Sequence, residues 1–167
     1  MQFHFNANEI FDVAKRIEVD GSKFYRAAAE SCKGNEKANK FLLALADMEN
    51  HHRMIFSAMQ ADLAPNDKKT SLLDPDDQTK EFLKVMADGV IFGTQERPLA
   101  KIASSGDLEE IIKTAIGLEK DSVLFYQGIK EMVPEKHGRS KIEQIIREEM
   151  SHIIILNREL VEQKRTG

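Results

Sequence analysis

Two apolar stripes in this chain carry ionisable residues at their centres, and both stripes occur twice. Read at alternating spacings of three and four, the first runs Phe11, Ala14, Glu18, Gly21, Tyr25, Ala28. It returns 101 positions later as Ile112, Ala115, Glu119, Ser122, Tyr126, Ile129, and the adjacent Phe24 and Phe125 repeat as well. The second runs Leu42, Leu45, Glu49, His52, Phe56, Met59 and returns 100 positions later as Ile142, Ile145, Glu149, His152, Leu156, Glu159. Residues three and four apart share one face of an α-helix, so these glutamates and histidines point where the leucines and isoleucines point. Four such helices bury their stripes against one another, which predicts an all-α four-helix bundle with acids and imidazoles in its interior.

The punctuation agrees with that reading. Three of the four prolines, Pro65, Pro75 and Pro98, fall between residues 60 and 106, leaving the flanking stretches free to run as long helices. The first helix is expected to start at Asn6 or Asn8, either of which can cap it, and to stop around Cys32 to Asn35, with Gly34 suited to a left-handed end. The second should run from about Glu36 to Asp62. Asp107 followed by Glu110 resembles a capping box for the third, which Pro134 ends, and the fourth should span about His137 to Gln163. Between the second and third lies a polar, turn-rich run from Pro65 to Asp77, then a short helix around Gln78 to Asp88. Short links within each pair and one long crossover between the pairs match a known wiring of the four-helix bundle.

A bare carboxylate inside the bundle costs several kcal/mol of desolvation or takes up a proton, and four converging carboxylates repel one another. Two divalent cations bring roughly the balancing charge, and neutral imidazoles complete their coordination. One Glu-x-x-His in a glutamate-rich helix is ordinarily a surface pair. Two copies, each within an apolar stripe and each about 30 positions after a stripe-centred glutamate, are six coincident choices that surface chemistry does not require. The candidate metal ligands are therefore Glu18, Glu49, His52, Glu119, Glu149 and His152.

Neighbouring residues compete for those roles. Glu148 and Glu149 both lie close to His152 in sequence, but the stripe and the repeat select Glu149. His51 falls off its stripe and reads as a solvated histidine, as do His4 and His137. Asp20 and Asp121 lie two positions beyond their glutamates, about 200° around the helix, which makes them surface groups or outer partners of the site. Tyr25 and Tyr126 lie two turns along the same face as Glu18 and Glu119, and read either as core aromatics or as hydrogen-bond donors to a liganding carboxylate. Met48, Met54, Met59 and Met150 read as core filler.

Composition narrows the function classes. The 167 residues suit one domain over 1–167 with a packed core, and a net charge of −4 with both signs interspersed offers no basic stripe for nucleic acid. The single cysteine, Cys32, excludes an internal disulfide framework and a four-cysteine metal site, suits a reducing compartment and reads as an inert thiol. The amino terminus lacks the pattern of a signal peptide, and no apolar run approaches the ~20 residues needed to span a bilayer. A cytoplasmic protein with no membrane role is expected.

Glu18, Glu49-x-x-His52, Glu119 and Glu149-x-x-His152, over nearly the whole chain, resemble the ligand pattern of the ferritin-like, rubrerythrin-type di-iron carboxylate proteins. The phrases from Ile17 to Tyr25, Leu45 to His52 and Leu118 to Tyr126 are closer to rubrerythrin-related sequences than to ferritins or ribonucleotide reductase subunits. The resemblance implies a ferritin-like bundle holding two iron ions, with manganese or zinc as substitutes. Glu49 and Glu149 would bridge, Glu18 and Glu119 would be terminal ligands, and His52 and His152 would bind one ion each. It also implies a homodimer. Rubrerythrins usually end in a rubredoxin-like domain with Cys-x-x-Cys pairs, which this chain lacks, so electrons are expected from an external donor such as a rubredoxin-like protein. Ser122 stands where rubrerythrins tend to carry an additional glutamate.

The leading expectation is an oxidoreductase that reduces hydrogen peroxide or, less efficiently, oxygen, as in an oxidative-stress role. Gly21 and Ser122, small residues beside the candidate ligands, would leave room for a diatomic molecule. The alternatives are an iron-binding protein with ferroxidase activity but no catalytic cycle, and a bundle stabilised by other divalent metals. Hydroxylation of an organic substrate is a minor alternative, with no feature marking a substrate pocket.

Overall fold

The computed structural model describes residues 6–65, 78–91 and 99–166. Among them are six α-helices and no strand: α1 (Ala7–Ser31), α2 (Glu36–Ala61), α3 (Gln78–Ile91), α4 (Leu99–Ala103), α5 (Leu108–Met132) and α6 (Arg139–Thr166), with a 3-10 turn at Glu135–His137. Asn6 begins α1 with a reciprocal capping box, its side chain accepting from the Glu9 N–H at 2.9 Å while the Asn6 N–H donates to Glu9 at 3.3 Å. Asn35 caps α2 through the Ala38 N–H, and Asp107 caps α5 through the Glu110 N–H, each at 3.1 Å.

The first helix ends within the expected stretch, but not through its glycine. Gly34 does not take the left-handed conformation; α1 instead ends at Cys32, whose N–H bonds back to Ala28 and Ala29, and Asn35 starts the next helix. The left-handed glycines are Gly106, just before α5, and Gly138, which turns the chain from the 3-10 turn into α6. The crossover helix α3 extends three residues past Asp88, and the short α4 follows it without a sequence signal. The expected turns between Pro65 and Asp77 lie almost wholly outside the described residues, as do Pro75, Pro98 and His4.

The long helices pair antiparallel. Gln60, near the end of α2, bonds Asn8 at the start of α1, and Lys164 at the end of α6 lies 4.0 Å from Glu109 at the start of α5. The chain leaves α2 at one end of the bundle and enters α5 at the other, which is why the crossover must be long. In passing, α3 seats Leu83 against Gly128 of α5 so closely that a Cβ there would lie 2.7 Å from a leucine methyl.

The apolar core is divided. One cluster holds Phe11, Phe56, Phe125, Ile129, Ile142 and Ile145, and the other holds Ala28, Leu42, Leu45, Ile111, Ile112 and Leu156. Between them lies a layer of buried ionisable side chains. The methionines depart from the expected role of filler. Met59 is buried, but Met48, Met54 and Met150 are 37%, 56% and 50% exposed, because each lies off its helix's apolar stripe. Cys32 is buried, its sulfur 3.9 Å from the Ser31 hydroxyl.

Candidate metal centre

The buried layer consists of Glu18 from α1, Glu49 and His52 from α2, Glu119 from α5, and Glu149 and His152 from α6. Their donor atoms form two overlapping sets. Glu18, Glu49, His52 and Glu149 present one atom each, all within 4.8 Å of one another, and so do Glu49, Glu119, Glu149 and His152. Glu49 and Glu149 belong to both sets. Glu149 reaches His52 Nδ1 with one oxygen at 2.9 Å and His152 Nδ1 with the other at 3.0 Å. The two imidazoles stack at 5.7 Å between ring centres.

Closeness here is not hydrogen bonding. Despite those short distances, no aligned hydrogen bond from the described residues reaches Glu18 Oε2, Glu49 Oε1, either oxygen of Glu149, or the Nδ1 of His52 or His152. Buried polar atoms in proteins are almost always paired, and here six of them converge unpaired on two points. Oxygen and nitrogen donors in two four-membered sets with two shared carboxylates are what a pair of divalent ions requires, so the residues fit such a pair.

The electrostatics express the same lack of counter-charge. Burial raises Glu18 and Glu49 above the usual carboxylate range, and carries Glu119 to about 8. Glu149 is the exception: burial would raise it, but the two imidazoles against it lower it. Burial alone would push the histidines down, yet contact with Glu149 and Glu18 raises His52 to about 11, and contact with Glu119 and Glu149 raises His152 to about 9. Without metal ions, the cluster balances its charge with protons.

The tyrosines hold Glu18 and Glu119, Glu18 by the oxygen turned away from His52 and Glu119 by the oxygen nearest His152. Tyr25 of α1 donates to Glu119 of α5, and Tyr126 of α5 donates to Glu18 of α1. Burial, then the neighbouring carboxylates, keeps both phenols protonated and therefore able to donate. Each tyrosine serves the opposite half of the repeat. Gly21 is needed for a close approach, since a Cβ there would lie 2.7 Å from Glu49 Oε2. Beside it a cavity of about 50 Å³ is lined by Gly21, Ser122, Leu118 and Leu99 and reaches Glu49 and Glu119. The Ser122 hydroxyl donates to the Leu118 carbonyl at 3.1 Å and lies against this space with its donor engaged.

The other candidates fall elsewhere. His51 and Asp20 are exposed, with Asp20 at the edge of the cavity, and Asp121 and His137 are half-buried. Glu148 takes a part that spacing within its own helix does not reveal. It turns away from His152 toward α2, where His52 Nε2–H donates to it at 2.8 Å, and Gln144 donates to its other oxygen at 2.9 Å. A carboxylate can only accept, so the neutral His52 carries its proton on Nε2 and presents the Nδ1 lone pair to the cluster.

Comparison with known proteins agrees with this geometry. The Rubrerythrin family model matches residues 9–160. The chain belongs to the rubrerythrin family. Among solved structures, the chain resembles a protein from Thermotoga maritima provisionally described as a ferritin-like diiron-carboxylate protein. The identity is 25% and the TM-score 0.72, over 98% of this chain and 99% of that one. No curated protein matches the chain significantly. Membership in the rubrerythrin family implies a dimetal site, and the Glu and His cluster offers two donor sets for one. No described helix is long and apolar enough to cross a membrane.

Proposed function

We propose that this rubrerythrin-family protein is a di-iron oxidoreductase that reduces hydrogen peroxide or, less efficiently, oxygen, using electrons from a separate donor such as a rubredoxin-like protein. In this reading Glu18, Glu49, His52 and Glu149 would hold one ion and Glu49, Glu119, Glu149 and His152 the other, with Glu49 and Glu149 shared between them. The observation that carries it is the pair of overlapping donor sets beside a small cavity that reaches Glu49 and Glu119. Two ferrous ions would supply one electron each, so that hydrogen peroxide and two protons become two waters, and the external donor returns both electrons.

The protein's own groups supply the setting. Tyr25 and Tyr126 fix the carboxylates that they bond, so the site is ordered before a reactant arrives. The cavity exceeds the space one water occupies but is far smaller than the pocket of a drug-sized organic substrate, which favours peroxide or oxygen over hydroxylation. The exposed apolar residues Met48, Met54, Met150 and Ile154 on α2 and α6 support a homodimer, and the lone buried thiol suits a reducing cytoplasm.

The test is anaerobic reconstitution with ferrous iron, a metal count per chain, and mixing with peroxide or with oxygen under near-ultraviolet detection. Two ions that oxidise faster with peroxide and can be reduced again are expected. Preference for oxygen, with oxidised iron leaving the site, would favour a ferroxidase, and no stoichiometric binding would refute the site. Ser122→Leu, which fills the cavity, should slow oxidation by peroxide while leaving the metal count intact; an unchanged rate would count against the cavity as the point of entry.

A further inference from the structure

The internal repeat makes the two halves of the site nearly equivalent. Glu18 matches Glu119, His52 matches His152, each of the two glutamates accepts from a tyrosine of the other half, and the carboxylates of Glu49 and Glu149 are common to both. The partner behind the histidine is not repeated. Behind His52 stands the relay Gln144 to Glu148 to His52 Nε2, whereas shifting by the repeat of 100 positions puts Ala44 and Met48 at the corresponding places of α2. Both are exposed, and His152 Nε2 is buried with no hydrogen-bond partner among the described residues.

From this asymmetry, and resting on the dimetal reading above, we infer that Glu148 is a positioning residue that makes the two metal positions unequal. The position of Glu18 and His52 fills first and holds its ion more tightly than the position of Glu119 and His152. The carboxylate behind His52 fixes the tautomer and the ring orientation, makes Nδ1 a stronger donor, and brings further negative charge near the ion. Outer partners of this kind are typically worth about 10–100-fold in metal affinity. His152 has its ring held only by packing and its Nδ1 contacts. The cavity adjoins Glu119, so the weaker position is also the one that small molecules reach.

The experiment uses the full chain freed of metal and titrated with cobalt(II), followed by calorimetry and by the visible bands of the ion. Two successive equivalents are expected, the first about 10–100-fold tighter. Crystals grown with one equivalent should give an anomalous peak between Glu18 and His52. Glu148→Ala, at a half-exposed position where folding is not at risk, should weaken only the first equivalent and spread that peak over both positions. Glu148→Gln, which still accepts from Nε2–H, should restore part of the difference, a rescue that a purely structural role would not give. Two equal affinities in the unaltered protein, a first peak beside Glu119 and His152, or equal weakening of both equivalents by Glu148→Ala would overturn the inference while leaving the dimetal reading intact. Failure to bind two ions would overturn both.

Discussion

His52 and His152 hold equivalent places in the repeat, each three residues after a buried glutamate and each with Nδ1 turned to the cluster, yet their surroundings differ. The half around His52 has its outer nitrogen bonded by Glu148. The half around His152 leaves that nitrogen unpaired and has the small cavity against Glu119 and Glu49. Duplication of a helical hairpin thus keeps the groups that must meet at the centre and leaves the helix backs free to diverge. The centre of each half is fixed by the other half, because Tyr25 holds Glu119 and Tyr126 holds Glu18. The backs answer only to their own neighbours.

The sharpest way to break the equivalence is through the shared carboxylates. Glu149 touches both imidazoles, so Glu149→Ala should remove both ions, whereas Glu119→Ala should remove the ion beside His152 and leave the other. Elemental analysis after dialysis against excess iron or zinc would decide. Equal retention in the two variants would mean that Glu149 is no more central than Glu119.

A second effect comes from the protons that stand in for metal. In the metal-free protein Glu119, His52 and His152 are all raised, to about 8, 11 and 9, so the folded state holds protons that the unfolded chain releases. Groups of this sign stabilise fully below their unfolded values and lose that contribution as pH rises through the folded ones. The metal-free protein should therefore lose Tm between pH 6.5 and 9. Glu149 is lowered, so its contribution fades only toward acid, outside that window. Metal ions replace the protons and remove most of this dependence. The rise in Tm on adding zinc should be larger at pH 9 than at pH 6.5 by several degrees, since 1 kcal/mol moves Tm by about 2–4 °C at this size. Scanning calorimetry at the two pH values checks it, and an equal rise at both would show that the cluster is not holding protons.

Much of this arrangement is legible in the chain because buried charge is rare: Glu18, Glu49, His52, Glu119, Glu149 and His152 stand out only because their neighbours at three and four are Phe, Leu, Ile and Ala. Helix starts are legible where a capping side chain marks them, as at Asn6, one of two candidates, and Asp107, whereas the cap at Asn35 reads only as part of the preceding stop. Other features depend on relations between helices that spacing within one helix does not contain. Glu148 bonds His52 because α6 lies beside α2 in a particular rotation, so its neighbour four residues on, His152, is a misleading guide. The exposure of Met48, Met54 and Met150, by contrast, is contained in that spacing, since each lies off its helix's apolar stripe. Gly34 suggested a left-handed stop, but the hydrogen bonds at Cys32 and the cap at Asn35 already end one helix and begin the next.

The smallest test concerns the tyrosines, which bond corresponding glutamates in the two halves. Tyr25→Phe leaves an oxygen of Glu119 without its donor, and Tyr126→Phe does the same to Glu18, both in fully buried surroundings. Leaving a buried acceptor without its donor costs about 1–3 kcal/mol, so each variant should lose a few degrees of Tm. If the halves differ only behind their histidines, the two losses should match in the metal-free protein. With metal present the variants should separate, because Tyr126→Phe loosens a ligand of the position supported by Glu148 and Tyr25→Phe a ligand of the position beside the cavity. Tyr25→Phe should then weaken only the second cobalt equivalent and Tyr126→Phe only the first. Weakening of the same equivalent by both would mean that the tyrosines act on the shared carboxylates and not on separate halves.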